Sequence, residues 1–129
     1  MATHAMIDIE TLGTLPESVI LSVGGVKFDP FTPNEPHDGK HWKLDADEQT
    51  NKGRFVDDKT LEWWAKQDQA IQDVAFTDEG RVPVDTFMKE LNAWLTGCEA
   101  IWCQGPQFDM VIIEHLFRDF GHHMNWFFW

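Results

Sequence analysis

The spacing of apolar and polar residues changes period along the chain, and each change marks an element. Met6-Ile7-Asp8-Ile9-Glu10 sets acidic side chains between apolar ones at period two, which predicts a β-strand over Ala5 to Ile9. Asp8 and Glu10 then share one face, with Ile7 and Ile9 on the other. After a turn spanning Gly13 to Pro16, the β-branched run Val19 to Phe28 predicts a second strand, with a bulge at Gly24-Gly25. Pro30 to Gly39 spells a loop, and His41-Trp42-Lys43-Leu44 alternates again as a short third strand closing an antiparallel meander.

From there the period lengthens. Asp57 is placed as a helix N-cap, and Leu61, Trp64 and Ala65 recur at helical spacing in a short helix ending near Asp68, with a second over Ala70 to Ala75. Asp78-Glu79-Gly80-Arg81 reads as a turn. Val84, Phe87, Met88, Leu91, Trp94 and Leu95 form one apolar stripe on a helix from Pro83 to Leu95, stopped by Gly97. Ala100-Ile101-Trp102-Cys103 is short and continuously apolar, as in a buried strand parallel to the first. Gln104-Gly105-Pro106 turns the chain into a last helix, Phe108 to Phe120, with Val111, Ile112, Leu116, Phe117 and Phe120 as core contacts and Gly121-His122-His123 at its close. The order of elements is that of an α/β domain with a mixed sheet.

Composition narrows the class. A chain of 129 residues that is 43% hydrophobic and 25% charged can build one real core. No apolar run is long enough to cross a bilayer, and no basic-then-apolar leader opens the sequence, so a cytoplasmic protein (host cytoplasm if phage-encoded) is expected. Cys98 and Cys103, without a second pair, are expected as buried free thiols. Ten Lys and Arg against 22 Asp and Glu give a formal charge of −12, which argues against nonspecific binding to duplex nucleic acid but not against gripping one strand end through metal ions.

The candidate chemistry lies with the carboxylates. Asp8 and Glu10 side by side repel each other, and a bound cation is the usual way such a pair is tolerated, with hard oxygen ligands suiting Mg²⁺ or Mn²⁺. A solvated acidic strand face explains the same spacing. Asp109 falls in the first turn of the last helix, just after the buried strand, where α/β sheets commonly bind ligands. Helix capping explains the same placement. Together, three carboxylates from two elements at one sheet edge can hold two divalent ions.

Met6 to Pro30, MIDIETLGTLPESVILSVGGVKFDP, resembles the first motif of the DEDD 3′–5′ exonucleases of the DnaQ-like, ribonuclease-H-like superfamily. The nearest subgroup is the phage and bacterial exonuclease/exoribonuclease type, with its Asp-x-Glu-Thr-x-Gly and Ile-x-Ser-x-Gly strands. Thr60 to Gln67 resembles that subgroup's Trp-Trp-x-x-Gln helix, and Trp102 to Asp109 its second motif. The resemblance runs from about His4 to the last residue. It implies a ribonuclease-H-like three-layer α/β fold, a mixed sheet of an antiparallel meander plus a parallel strand, in a single domain over residues 1–129. Asp8, Glu10 and Asp109 become ligands of two Mg²⁺ or Mn²⁺ ions that hydrolyse the terminal phosphodiester. Thr11 and Leu12 match positions holding the terminal nucleotide, with Leu12 wedged against its base. Trp63, Trp64 and Gln67 could shape the nucleotide pocket, although two adjacent helical residues cannot both face it and a core role fits the tryptophans as well. The implied partner is a single-stranded RNA or DNA 3′ end, and the product a nucleoside monophosphate.

The family pattern continues beyond the equivalent of Trp126-Phe127-Phe128-Trp129, into Arg-Asp-x-Arg-Thr and then a His-x-x-x-Asp motif carrying the general base and a fourth carboxylate. Nothing after Asp109 fits that last motif: Glu114 and Asp119 are expected to point elsewhere, and His122 and His123 to sit at the helix end as dipole partners or surface groups. The chain therefore resembles a DEDD exonuclease cut short, missing a C-terminal strand and helix and exposing a sheet edge that invites a homodimer. An inactive remnant that binds metal, nucleotide or a protein partner is the alternative to an active enzyme. A nucleic-acid mimic is a third reading, favoured by the −12 charge.

Overall fold

The alternation at the start of the chain becomes an inner strand of the sheet. In the computed structural model, which describes residues 2–126, β1 (His4–Thr11) buries Ala5, Ile7 and Ile9 and turns Met6, Asp8 and Glu10 to the opposite face. β2 (Ile20–Phe28) pairs antiparallel with β1, and β3 (His37–Leu44) antiparallel with β2. β3 begins four residues earlier than its alternating pattern, because His37 to Lys40 pair with β2 through backbone groups while their side chains stay exposed. The irregularity in β2 falls in its pairing with β3, between Gly25 and Lys27, and the pairing with β1 runs straight through Gly24 and Gly25.

Two elements carry no apolar signal in the sequence. α1 (Ala46–Asn51) is capped by the Asp45 carboxylate, which accepts from the Glu48 N–H at 3.0 Å. Its buried residue is Gln49, whose amide accepts from Ile20 N–H and donates to Ile20 C=O, both at 2.8 Å, and so satisfies a strand end that would otherwise be unpaired. After α2 (Asp58–Ala65) and α3 (Gln69–Phe76), the two residues of β4 (Arg81–Val82) pair parallel to β3 where a turn was expected. α4 (Val84–Leu95) buries the six residues of its predicted stripe. β5 (Ala100–Trp102) pairs parallel with β1, and α5 (Pro106–Asp119) follows. The strand order is β4-β3-β2-β1-β5, the expected mixed sheet.

One sheet face carries the main core. Ile7, Ile9, Val23 and Trp42 meet Phe87, Leu91 and Trp94 of α4 and Ile112, Ile113, Leu116 and Phe117 of α5. Val111 is 38% exposed, contrary to its expected core place, and Ile113 takes that place because the helix phase puts residues 112, 113, 116 and 117 on one side. On the other face a small cluster of Leu12, Val19, Leu21 and Trp64 seats α2 and α3 at one end of the sheet. Leu61 of α2 is exposed, and α3 buries no side chain. Of the apolar terminal run, Trp126 packs edge-on against Phe117 at 5.1 Å, while residues 127–129 lie outside the described residues. Cys98 and Cys103 are free and only partly buried. Among the described residues no helix is long and apolar enough to cross a membrane.

Gly25 shows how tightly β2 meets α4. A Cβ there would stand 2.7 Å from the Trp94 ring and 3.2 Å from the Met6 carbonyl, and Trp94 is pinned by its indole N–H to the Asp38 carbonyl at 2.9 Å. Gly25→Ala is expected to destabilise the fold by about 1–3 kcal/mol through overpacking. Urea melts of the two proteins check this; an unchanged midpoint would show that Trp94 gives way.

Candidate active site

The parallel pairing of β5 with β1 decides where the carboxylates meet. It aligns His4 to Met6 with Ala100 to Trp102, so the chain leaving β5 enters α5 beside the C-terminal half of β1. The buried stripe of α5, traced back one turn from Ile112 and Ile113, lands on Asp109, which is 5% exposed. Asp109 thus lies on the helix side that faces the sheet, while Asp8 and Glu10 stand on the outer face of β1.

The three acids share one electrostatic environment. Burial raises the Glu10 carboxyl above its ordinary pKa, and Asp8 and then Asp109 raise it further. Asp109 is raised by burial and then by Asp8, with its own backbone N–H and that of Ile9 pulling it partly back. The Cys103 thiol is pushed up to about 12 by burial, with Asp109 and Asp8 adding to the shift. Among the described residues no ion pair reaches any of the three carboxylates. Such a donor set, all carboxylate oxygen and short of positive charge, fits a hard divalent cation. Among the described residues, though, no three His, Cys, Asp or Glu side chains are gathered closely enough to form a finished ligand cage.

A groove of about 480 Å³ opens next to Glu10, lined by Thr11, Gly13, Lys59, Trp63, Trp64 and Phe108 among others. The two tryptophans divide the roles that the sequence left open. Trp64 is 5% exposed and donates its indole N–H to the Thr11 carbonyl at 3.0 Å, fixing the end of β1. Trp63 is 54% exposed and stands edge-on to Trp64, with ring centres 4.9 Å apart. Thr11 lines the groove while its hydroxyl donates to the Gly13 carbonyl at 2.6 Å.

Two residues expected at the nucleotide are engaged by the chain itself. Leu12 is 7% exposed and packs with Val19, Leu21 and Trp64 in the second core cluster. Gln67 donates to the Trp63 carbonyl at 3.0 Å, closing the end of α2, and does not line the groove. As expected, Glu114 and Asp119 are engaged elsewhere: Glu114 accepts from the Trp126 indole at 3.3 Å, and Asp119 from Arg54 at 2.7 Å. His122 lies 2.8 Å from Asp85 of α4.

Arg54 gave no signal in the sequence, as a lone arginine after Gly53 in a polar stretch. Its guanidinium is fully buried and donates to the carbonyls of Ser18 at 2.6 Å and Pro16 at 3.3 Å, to Asp119 and to His115 Nδ1 at 2.9 Å. It therefore ties the β1–β2 connection, which begins at the groove, to the far end of α5. Burial lowers its pKa, and Asp119 opposes that shift. Lys59 also lines the groove, and one lysine in a first helical turn has no distinguishing pattern in the sequence.

A family model described as the 3′-5′ exoribonuclease Rv2179c-like domain matches residues 3–129. No curated protein matches the chain. Among solved structures, E. coli exonuclease I in complex with a dT13 oligonucleotide superposes with a TM-score of 0.64 at 13% identity, over 92% of this chain and 24% of that one. Exonuclease I from Methylocaldum szegediense gives 0.62 at 14% identity, over 91% and 23%. A product-bound exonuclease I gives 0.64 at 14%, over 92% and 25%. The chain spans about a quarter of the length of these structures, and at such identities the likeness establishes the fold: the ribonuclease-H-like α/β fold that the sequence resembled. A family model that runs along residues 3–129 covers far more than half of the sequence, and on that ground the chain belongs to the 3′-5′ exoribonuclease Rv2179c-like domain family.

Proposed function

We propose that this chain carries the site of a metal-dependent 3′–5′ exonuclease that releases nucleoside monophosphates from single-stranded RNA or DNA ends. The observation that supports it most is the convergence of Asp8, Glu10 and Asp109 on one field, beside a groove with an exposed tryptophan. Asp8, Glu10 and Asp109 would hold Mg²⁺ or Mn²⁺, which when bound supplies an activated water and charge stabilisation at the phosphodiester. Glu10 belongs both to the acid set and to the groove wall, so a nucleotide in the groove brings its phosphate to the acids. Trp63 offers the ring on which the terminal base stacks, and Trp64 keeps the end of β1 in place behind it. That the matched structures include an exonuclease I with a dT13 strand and one with product supports a single-stranded substrate here.

The test is a 5′-labelled single-stranded oligonucleotide incubated with the chain and Mn²⁺ or Mg²⁺. Shortening from the 3′ end with mononucleotide release, lost in chelator, is expected. Trp63→Ala should weaken mononucleotide binding by roughly tenfold, in line with the 1–3 kcal/mol of base–aromatic stacking. A second reading, binding without cleavage, is favoured by the engagement of Glu114 with Trp126 and of Asp119 with Arg54, which leaves neither acid as a fourth ligand. Mn²⁺ and nucleotide binding without release would support it, and no binding of either would sink both.

A further inference from the structure

The register of the sheet aligns the carboxylates with a basic row. Glu10 pairs with Ser22 and Ser22 with Lys43, while Asp8 pairs with Gly24 and Gly24 with His41. Residues in register across a sheet share a face, so His41 and Lys43 project from the same face as Asp8 and Glu10. Two strand spacings separate them, about 10 Å. Only Ser22 and Gly24, two small residues, lie between. α3 closes the row on one side: a hollow of about 400 Å³ is lined by Glu10, Ser22, His41, Lys43 and the apolar Ile71 and Val74. Ile71 is 49% and Val74 69% exposed, an apolar wall left open to solvent beside charged groups.

We propose that His41 and Lys43 form the track for the phosphates of a single-stranded polynucleotide upstream of its 3′ end, with sugars and bases against Ile71 and Val74. This rests on the exonuclease reading above and adds the course of the strand to it. Charge carries the argument. In a chain of net charge −12 the acid site repels a polyanion, and a strand held there needs cations next to the acids. Lys43 spends one of its three ammonium donors on the Glu79 carbonyl at 3.1 Å and keeps two for phosphate. His41 is exposed and faces the same trough. The opposite course, over the apolar row of Met6, Val26 and Trp102, borders Lys40 but lacks the Ile71 and Val74 wall, and the Trp102 indole N–H is committed to His4 Nδ1 at 2.8 Å.

The experiment compares two probes by fluorescence anisotropy and calorimetry in Ca²⁺: a labelled ten-nucleotide single strand and AMP. The double variant H41A/K43Q is expected to weaken the ten-nucleotide strand by about tenfold or more and leave AMP unchanged. The salt slope of strand binding should fall by about 0.7 for each phosphate that the variant no longer neutralises. Lys43→Arg should keep wild-type affinity for the strand, which a general loss of structure could not produce. Unchanged strand affinity and slope in the double variant overturns the track, as does equal loss for both probes. Weaker strand binding in Trp102→Ala with none in the double variant overturns it in favour of the opposite course. A wild type that does not bind the strand overturns it as well. Mononucleotide release by the wild type is scored separately, so release with an unaffected double variant removes the track alone, and no release removes the exonuclease reading.

Discussion

Asp8→Asn is expected to reduce nucleotide release by about 10³-fold or more, while the folded protein becomes more stable at neutral pH. The loss follows from removing a carboxylate ligand from the set that would position divalent ions, where even one electrostatic partner of a transition state is worth about 10²–10³ in rate. The gain in stability follows from the same charge. Glu10 and Asp109 are raised above their ordinary values of 4.5 and 3.8, by burial first and by Asp8 among the next causes. Raised carboxyls bind more protons folded than unfolded, so folding stability falls as pH rises upward through and above those ordinary values, and what is lost stays lost at pH 7. Without the Asp8 charge, part of that loss is returned and the pH dependence flattens. Thermal melts from pH 4 to 7 read this directly. Mn²⁺ should raise the wild-type melting temperature, in keeping with about 2.7 kcal/mol at a hundredfold excess over Kd, and should raise that of the variant far less. An Asp8→Asn protein that releases nucleotides within tenfold of wild type removes Asp8 from the site.

The mutual repulsion of these acids was partly legible in the sequence. β1 is readable because its apolar residues and its acids fall on opposite faces, and α4 because six buried side chains keep one helical phase. β5 stood out as an apolar run with no charge and pairs parallel with β1 as expected, but it is the edge strand instead of a buried one: Ala100 and Ile101 are half-buried and Trp102 is 49% exposed, because the sheet order puts no strand beyond it. The same logic explains the misses. α1 buries a glutamine, and its hydrogen bonds to Ile20 depend on a partner 29 residues away, which no local pattern announces. β4 is two residues long, too short for any period. For α5 the choice of Val111 over Ile113 was an error of phase, and the correct phase is the one that includes Asp109.

At the site, residue type could nominate the acids and the tryptophans but could not say which neighbour each would meet. Trp63 and Trp64 are identical in chemistry, and only the seat of α2 on Leu12, Val19 and Leu21 decides that Trp64 goes in and Trp63 stays out. That seat also removes Leu12 from the surface. Gln67 is taken by the backbone of its own helix end. The basic row of β3 was invisible because Lys43 and His41 acquire meaning only through a register that passes over Ser22 and Gly24.

The largest structural effect belongs to a residue the sequence did not mark. Arg54→Ala is expected to cost about 3–5 kcal/mol, the usual range for breaking a buried pair by removing one partner, and to lower the melting temperature by on the order of 10 °C. The guanidinium meets four acceptors from two distant parts of the chain, Pro16 and Ser18 on one side and His115 and Asp119 on the other. Its loss leaves the Ser18 carbonyl, in a residue 0% exposed, without that partner, and frees the connection that carries Gly13 past the groove. Asp119→Asn is the milder partner variant, because Asp119 is a third exposed and water can replace part of the bond. The two together separate roles: if Arg54 only balances the charge of Asp119, both variants lose the same amount, whereas a clamp on the β1–β2 connection makes Arg54→Ala several times worse. Chemical denaturation of both variants decides between these outcomes. Because the clamped connection starts at Thr11 and Gly13, the Arg54 variant should also bind mononucleotide more weakly at temperatures where it is still folded, which a purely electrostatic partner of Asp119 would not cause.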